Sequence, residues 1–332
     1  MNGDGYDDII IGAPFYDNQG GKVYAFYGSP SGLSTSVNWS FLSPETDSRF
    51  GNDVSPAGDV NSDGYDDIII SAPNRGKAYI FYGSPTGLTS NANLITSVAG
   101  RSVGNAGDVN NDGYDDVIVG GNNRAYIFPG SISGLLETPI WAAEGETVDE
   151  GFGLSVSTAG DVNNDGYIDV IIGAPTYNPS TGYDRGKVYL FLGSEWGVNT
   201  TPNWTAQGVV PAANGSYGIS VGSAGDVNGD GFDDVIIGSD KYENTEIDEG
   251  RALLFIGNLN GLSNTANWTF EGNQINANLG CSVSTAGDVN GDGISDIIIG
   301  AKFFDNYQLN EGRAFVFHGI KTEYNFLPLV IN

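Results

Sequence analysis

The sequence predicts an all-β fold: a β-propeller of six repeat units, the first of them incomplete. Three observations lead there. A short acidic loop returns along the chain, the segments around it have strand character, and the copies lie roughly 50 to 65 residues apart, a spacing that suits propeller blades better than helical solenoids. In full the loop reads Asp59-Val60-Asn61-Ser62-Asp63-Gly64-Tyr65-Asp66-Asp67. It recurs as Asp108 to Asp116, Asp161 to Asp169, Asp226 to Asp234 and Asp288 to Asp296, and in part as Asn2 to Asp8.

Each unit reads as four strands in fixed order. The first, as in Phe152-Gly153-Leu154-Ser155-Val156-Ser157, runs through Ala159-Gly160 into the loop. The second is the apolar run that follows, such as Val170-Ile171-Ile172, stopped by Gly173-Ala174-Pro175 because Pro cannot donate to a ladder. The third alternates, as in Lys187-Val188-Tyr189-Leu190-Phe191, and closes on a Gly-Ser turn. The fourth carries Trp39, Trp141, Trp204 or Trp268, with Leu94 in that place in the second unit. Ile, Val, Tyr and Phe dominate short runs bounded by Gly, Asn or Pro, and no 3.6-residue apolar period is sustained. Each unit is therefore an antiparallel meander, and radial closure of such blades would protect their sheet edges.

Composition sets the limits. The chain has 332 residues, above the usual size of one core, yet repeats can build a single domain of this length. Residues 1–322 read as the propeller, and 323–332 as a C-terminal tail or replacement strand. The 50 Gly residues suit tight turns. A net charge of −28 with only 13 Lys and Arg argues against nucleic acid, because phosphate binding needs a basic face. The one cysteine, Cys281, forms no internal disulfide and reads as a buried thiol. The one histidine, His318, ends an apolar strand and reads as structural. No apolar run approaches the ~20 residues of a membrane span, and no signal peptide is present. Met1 falls at loop position 2, where the other copies have Val. The expectation is a fragment, or a start placed at an internal Met, with any export signal upstream.

A basic residue recurs just before the third strand: Lys22, Lys77, Arg124, Lys187, Arg251 and Arg313. One reading is a ring of cations for an anionic ligand. The other is one neutralising contact per blade, which recurrence in every unit favours.

The loop has oxygen side chains at positions 1, 3, 5 and 9 and Gly at position 6. Calcium takes 6–8 oxygen ligands, and Gly permits the sharp turn that wraps them around the ion. An EF-hand would need a bidentate Glu at position 12 and flanking helices; position 12 is apolar here, as at Ile70, and strands flank the loop. Tandem acidic repeats of the thrombospondin type lack such long spacers. Solvated acidic turns without metal would leave their mutual repulsion unmet.

With Phe50-Gly51, Phe152-Gly153, Gly12-Ala13-Pro14 and Gly173-Ala174-Pro175 around the acidic loop, the sequence resembles FG-GAP repeats over roughly residues 1–320. Such repeats form the β-propeller at the head of integrin α subunits and occur in many bacterial surface proteins. The resemblance implies calcium ligands position by position. They are Asp59, Asn61, Asp63, Tyr65 (through its carbonyl) and Asp67; Asp108, Asn110, Asp112, Tyr114 and Asp116; and Asp161, Asn163, Asp165, Tyr167 and Asp169. Two further sets are Asp226, Asn228, Asp230, Phe232 and Asp234, and Asp288, Asn290, Asp292, Ile294 and Asp296. The first copy keeps only Asn2, Asp4, Tyr6 and Asp8, so about five calcium sites and a partial sixth are expected. Family propellers often have seven blades, whereas this chain supplies six units. Gly120-Gly121-Asn122, Gly238-Ser239-Asp240 and Gly300-Ala301-Lys302 depart from Gly-Ala-Pro, which should alter local turns and leave the loops intact.

In a meander the acidic loops lie at one end, and the connections from strand two to three at the other. These include Tyr16-Asp17-Asn18, Tyr177 to Asp184, Tyr242 to Glu249 and Phe303 to Tyr307, whose aromatic and acidic side chains suit protein or carbohydrate contacts. The leading expectation is an extracellular or cell-surface binding or adhesion module, with structural calcium and a protein or glycan ligand on the face opposite the calcium loops. One alternative is a self-assembling subunit of a surface layer or filament. Another is a polysaccharide-active enzyme, against which no His, Cys or Lys constellation stands out. Asn-X-Ser/Thr triplets start at Asn38, Asn199, Asn203, Asn214 and Asn267; three precede the Trp strand, which points to blade chemistry.

Overall fold

The computed structural model of the chain describes residues 1–95, 100–179, 184–208, 215–321 and 327–329. It divides into two compact units, Met1–Ala143 and Glu144–Asn332. Part of the Tyr177 to Asp184 connection, Asn214 and most of residues 323–332 lie outside the described residues.

The first unit begins with β1 (Ile9–Ala13), β2 (Lys22–Phe26) and β3 (Trp39–Leu42), a three-stranded sheet. Two four-stranded sheets follow. One contains β4 (Val54–Gly58), β5 (Asp67–Ala72), β6 (Lys77–Phe81) and β7 (Asn93–Ile95). The other contains β8 (Ser102–Gly107), β9 (Asp116–Gly121), β10 (Arg124–Phe128) and β11 (Trp141–Glu144). Strands sit in sequence order, so each sheet is a meander.

The second unit repeats the plan. Its first sheet holds β12 (Ser155–Gly160), β13 (Asp169–Ala174), β14 (Lys187–Phe191) and β15 (Trp204–Gln207). The next holds β16 (Ser220–Gly225), β17 (Asp234–Ser239) and β18 (Arg251–Phe255), then a small hairpin of β19 (Gly257–Asn258) and β20 (Gly261–Leu262), and finally β21 (Trp268–Glu271). The last holds β22 (Leu279–Gly287), β23 (Asp296–Ala301), β24 (Arg313–His318) and β25 (Leu327–Leu329). Thus Leu327–Leu329 provides a fourth strand, Leu327 pairing with His318 and Leu329 with Val316. Six antiparallel meanders, one per repeat, are the blade modules of a β-propeller.

Second strands are continuously apolar because both of their faces are covered. Ile68 and Ile70 pack with Val23, Ala25 and Phe50, while Ile69 faces the other way, toward Val117 and Val119. In the second unit Ile171 packs with Val235 and Ile237, and Ile236 with Ile297 and Ile299. The fourth-strand Trp crosses to the next sheet: Trp39 meets Phe81, Trp204 meets Phe255 and Trp268 meets Phe317, edge to face at 4.9–5.1 Å. Such pairs add about 0.5–1.5 kcal/mol beyond burial.

Three expectations gain structural detail. Gly120-Gly121-Asn122 does alter its turn: Asn122 and Asn123 both have positive φ, 52° and 65°, and form a two-residue hairpin loop between β9 and β10. Cys281 is half-buried, beside a register shift in β22, rather than fully buried. The triplet asparagines serve the blades, since Asn38, Asn203 and Asn267 accept from the N–H groups of Tyr27, Leu192 and Ile256 at the end of the third strand.

Candidate functional site

Each acidic loop joins the first two strands of its sheet, and its shape follows from two left-handed residues. Position 6 is Gly64, Gly113, Gly166, Gly231 or Gly293, with φ of 82–90°. Position 4 is also left-handed, at Ser62, Asn111, Asn164, Gly229 and Gly291. Gly and Asn tolerate that region, so the small residues at position 4 are a signal that ligand spacing alone does not use.

Within the turn the side-chain oxygens point inward onto main-chain N–H groups. Asp59 Oδ1 accepts from Asp63 N at 3.0 Å and its Oδ2 from Gly64 N at 2.7 Å; Asn61 Oδ1 accepts from Asp63 N and Asp63 Oδ1 from Tyr65 N, both at 3.0 Å. The pattern recurs around Asp108, Asn110 and Asp112, and around Asp161, Asn163 and Asp165. It recurs again around Asp226, Asn228 and Asp230, and around Asp288, Asn290 and Asp292. The partial loop keeps the Asn2 and Asp4 contacts without a position-1 residue. Among the described residues, nothing donates to the carbonyls of Tyr65, Tyr114, Tyr167, Phe232 or Ile294. Main-chain N–H groups also hold the Asp288 carboxyl below the usual carboxylate range, with Gly293 the largest contributor.

Position 9 differs in kind. Asp67, Asp116, Asp169, Asp234 and Asp296 are fully buried. Asp67 Oδ2 accepts from Val60 N at 3.2 Å, and its Oδ1 from Gly83 N at 2.8 Å beyond the third strand. The other four do the same with Val109 and Gly130, Val162 and Gly193, Val227 and Gly257, and Val289 and Gly319. Burial pushes Asp67, Asp116 and Asp169 up to about 7 and Asp234 to about 8, the main-chain donors opposing it. A buried carboxylate of this kind is relieved by a cation.

Position 8 carries a role that the sequence reading did not assign. Asp115 Oδ2 accepts from Asp59 N at 2.9 Å, reaching the loop of the preceding sheet, and Asp233 Oδ2 does the same with Asp161 N at 2.9 Å. The main chain supports the same link: Ser295 N donates to Asp226 O at 3.1 Å. The close approach demands Gly before the loop, since a Cβ on Gly58 or Gly160 would lie 2.1 Å from the Asp Oδ2.

Oxygen-only donors within one nine-residue turn, with buried acids in need of neutralisation, fit a hard divalent cation. Each carboxylate oxygen has lone pairs beyond those given to N–H groups. Even so, among the described residues no three acidic, His or Cys side chains converge closely enough to form a metal cluster as they stand.

The recurring cations are held locally. Lys77 pairs with Glu45, and Lys187 with Glu146 at 2.6 Å. Lys22 lies over the rings of Tyr16 and Tyr24, Arg251 is 3.7 Å from the Tyr242 ring centroid, and Arg313 lies over Phe304 and Phe315. These are contacts of the blades rather than a free cationic ring. Tyr242 is thereby occupied. Glu249 ties its loop from within, accepting from Asn244 N and Thr245 N. At the same end of the last two sheets Ile247 and Phe303 are exposed, while Tyr307 and Leu309 are 91% and 85% exposed. His318 Nδ1 lies 3.1 Å from Asp296 Oδ2 and from Asn290, at the last acidic loop.

Comparison with known proteins agrees with this geometry. The family profile described as FG-GAP repeat matches residues 1–26, 152–191 and 282–317, and one described as FG-GAP-like repeat matches 59–119 and 226–299. Integrin alpha-5 of Xenopus laevis is 32% identical over 52% of this chain and 17% of its own length. Integrin alpha pat-2 of Caenorhabditis briggsae is 28% identical over 74% of the chain and 18% of its own. Integrin alpha-6 of Gallus gallus is 36% identical over 48% and 14%. The chain thus spans less than a fifth of the length of these relatives. No helix among the described residues is long and apolar enough to cross a membrane. Repeat by repeat, in both units, the chain is an integrin alpha-like domain of FG-GAP repeats.

Proposed function

We propose that this domain is an extracellular or cell-surface adhesion module that binds a protein ligand and holds structural calcium in its acidic loops. One observation carries the calcium reading: five loops repeat a single oxygen-lined turn, each backed by a buried aspartate. In each loop the position 1, 3, 5 and 9 side chains and the position-7 carbonyl would hold the ion. Bound calcium would neutralise the loop and lock the hairpin of the first two strands. The likeness to integrin alpha subunits supports adhesion over catalysis. The exposed Ile247, Phe303, Tyr307 and Leu309 supply an apolar contact surface at the end of the sheets away from the loops.

Extracellular calcium modules bind at ~10⁻⁴–10⁻³ M. Calorimetric titration should find about five sites in that range, with one lost in Asp165→Ala. Absence of calcium binding up to ~10 mM would overturn the calcium reading. For the ligand, capture of surface proteins in calcium should fall in Tyr307→Ser/Leu309→Ser with no change in melting temperature. Undiminished capture would move the ligand site elsewhere.

A further inference from the structure

Neighbouring acidic loops are joined, and the joint passes between the proposed calcium ligands. Asp233 stands at position 8 of its loop, between Phe232 at position 7 and Asp234 at position 9. Its Oδ2 accepts from Asp161 N at 2.9 Å, and its own N donates to Asp161 O at 3.1 Å. Asp161 is position 1 of the preceding loop. In the first unit Asp115 makes the same two contacts with Asp59, at 2.9 and 3.3 Å. We propose that Asp115 and Asp233 are positioning residues that make calcium binding cooperative within two pairs of loops, Asp59 to Asp67 with Asp108 to Asp116, and Asp161 to Asp169 with Asp226 to Asp234. This cooperativity rests on the calcium reading above.

The tie grips the main chain of the position-1 Asp on both sides, its N–H and its C=O. With both held, the aim of its carboxylate is set from the next loop. Filling that next loop would fix the Phe232 carbonyl and the Asp234 side chain, and so fix Asp233 between them. Asp161 is then already ordered when its own loop fills, and less conformational freedom remains to be lost. Coupling of this kind is reciprocal, so either loop of a pair favours the other by the same factor. The position-8 carboxylate also lies between the two loops, where its charge offsets repulsion between two bound dications.

A second link runs through the turn after the third strand. Gly130 N donates to Asp116 Oδ1 at 2.9 Å, and the next residue, Ser131, donates its N–H to Val60 O at 2.9 Å. One turn therefore holds the position-9 ligand of its own loop and position 2 of the preceding loop.

The last two loops supply an internal contrast. Ser295 is at position 8 there, and its N donates to Asp226 O at 3.1 Å. Gly319 N and Ile320 N repeat the turn link, to Asp296 Oδ1 at 2.9 Å and Val227 O at 3.0 Å. The main-chain contacts are thus kept, but Ser295 brings no carboxylate to Asp226 N. Its hydroxyl stands where the carboxylate stands elsewhere, 2.3 Å from the place a Cβ on Gly225 would take. Coupling between these two loops should be weaker.

A calcium titration followed by the amide signals of Gly166, Gly231 and Gly293 reads the three loops of the second unit separately, since each amide donates to the position-1 carboxylate of its own loop. Asp230→Ala disables one loop at an exposed residue. It should weaken calcium binding at Gly166 by about fivefold or more, and Asp165→Ala should weaken binding at Gly231 by the same factor. In an Asp233→Ala background both effects should vanish. Asp292→Ala should weaken binding at Gly231 by less than about twofold, and in a Ser295→Asp background by about fivefold. Loops that fill independently in the parent protein, or coupling that survives Asp233→Ala, would overturn the proposal alone. Should Asp233→Ala fail to fold, the Ser295→Asp result decides, and no gain in coupling there would overturn the role of the carboxylate. No calcium-dependent shift at any of the three glycines would overturn the calcium reading and the proposal with it.

Discussion

Two tightly constrained residues outside the proposed ligand set are Gly58 and Gly160, which stand just before their loops. Gly160 has φ +77°, and a Cβ there would lie 2.1 Å from Asp233 Oδ2. Gly160→Ala therefore meets two penalties, a left-handed backbone and a collision with the carboxylate that ties two sheets together. The backbone term alone is about 1–2 kcal/mol. We expect Gly160→Ala to cost ~2 kcal/mol or more by denaturant unfolding. Adding Asp233→Ala should cost less than the sum of the single changes, since the collision is gone. Strict additivity would mean that the two residues do not meet. The sequence displayed the pairs Asp115-Asp116 and Asp233-Asp234 but could not separate their roles. Position 9 takes its second donor from beyond the third strand, and position 8 takes its donor from another sheet, 72 residues away at Asp161. Loop spacing marked position 9 as an oxygen ligand and assigned nothing to position 8; only the folded chain distinguishes a buried double acceptor from an inter-sheet tie.

At the scale of elements, strand order and type were legible because local chemistry sets them. Apolar runs covered on two faces, Gly-rich stops and the Trp that opens the fourth strand each reported a local constraint. Turn shape was less legible. Gly120-Gly121-Asn122 signalled a departure without its form, which proved to be a two-residue loop with both residues left-handed. Asn is tolerated there and a β-branched residue is not. Asn123→Val should destabilise the chain by about 1–2 kcal/mol, whereas Asn123→Gly should be neutral or stabilising. Equal unfolding midpoints for the two variants would contradict the φ of 65° at this position. The recognition reading of Tyr242 to Glu249 narrows at the same scale to the exposed Ile247. Its aromatic is stacked on Arg251 and its Glu braces the loop, contacts that join residues on either side of a strand start and leave no trace in composition.

At the scale of the whole molecule, the charge of −28 and the buried position-9 acids together predict how stability answers to pH and calcium. Asp67, Asp116 and Asp169 are raised to about 7 and Asp234 to about 8 in the folded metal-free chain, against an ordinary value of 3.8. The folded state thus holds these protons more tightly than the unfolded state does. Their contribution to stability is full below about pH 4 and is lost as pH rises through about 7 to 8. In EGTA the melting temperature should therefore fall between pH 5 and pH 7.5, by roughly 5 °C or more given ~2–4 °C per kcal/mol at this size. Calcium acts with the opposite sign, because it selects the charged carboxylates and must displace their protons. With calcium at ten times its Kd, each occupied site adds about 1.4 kcal/mol, so near pH 7.5 the loaded protein should melt well above the EGTA sample. Near pH 5 protons compete for the same oxygens and the two curves should approach each other. A calcium effect of equal size at pH 5 and pH 7.5 would show that the buried aspartates do not take part in binding. A metal-free melting temperature that rises across this range would show that burial does not hold their protons.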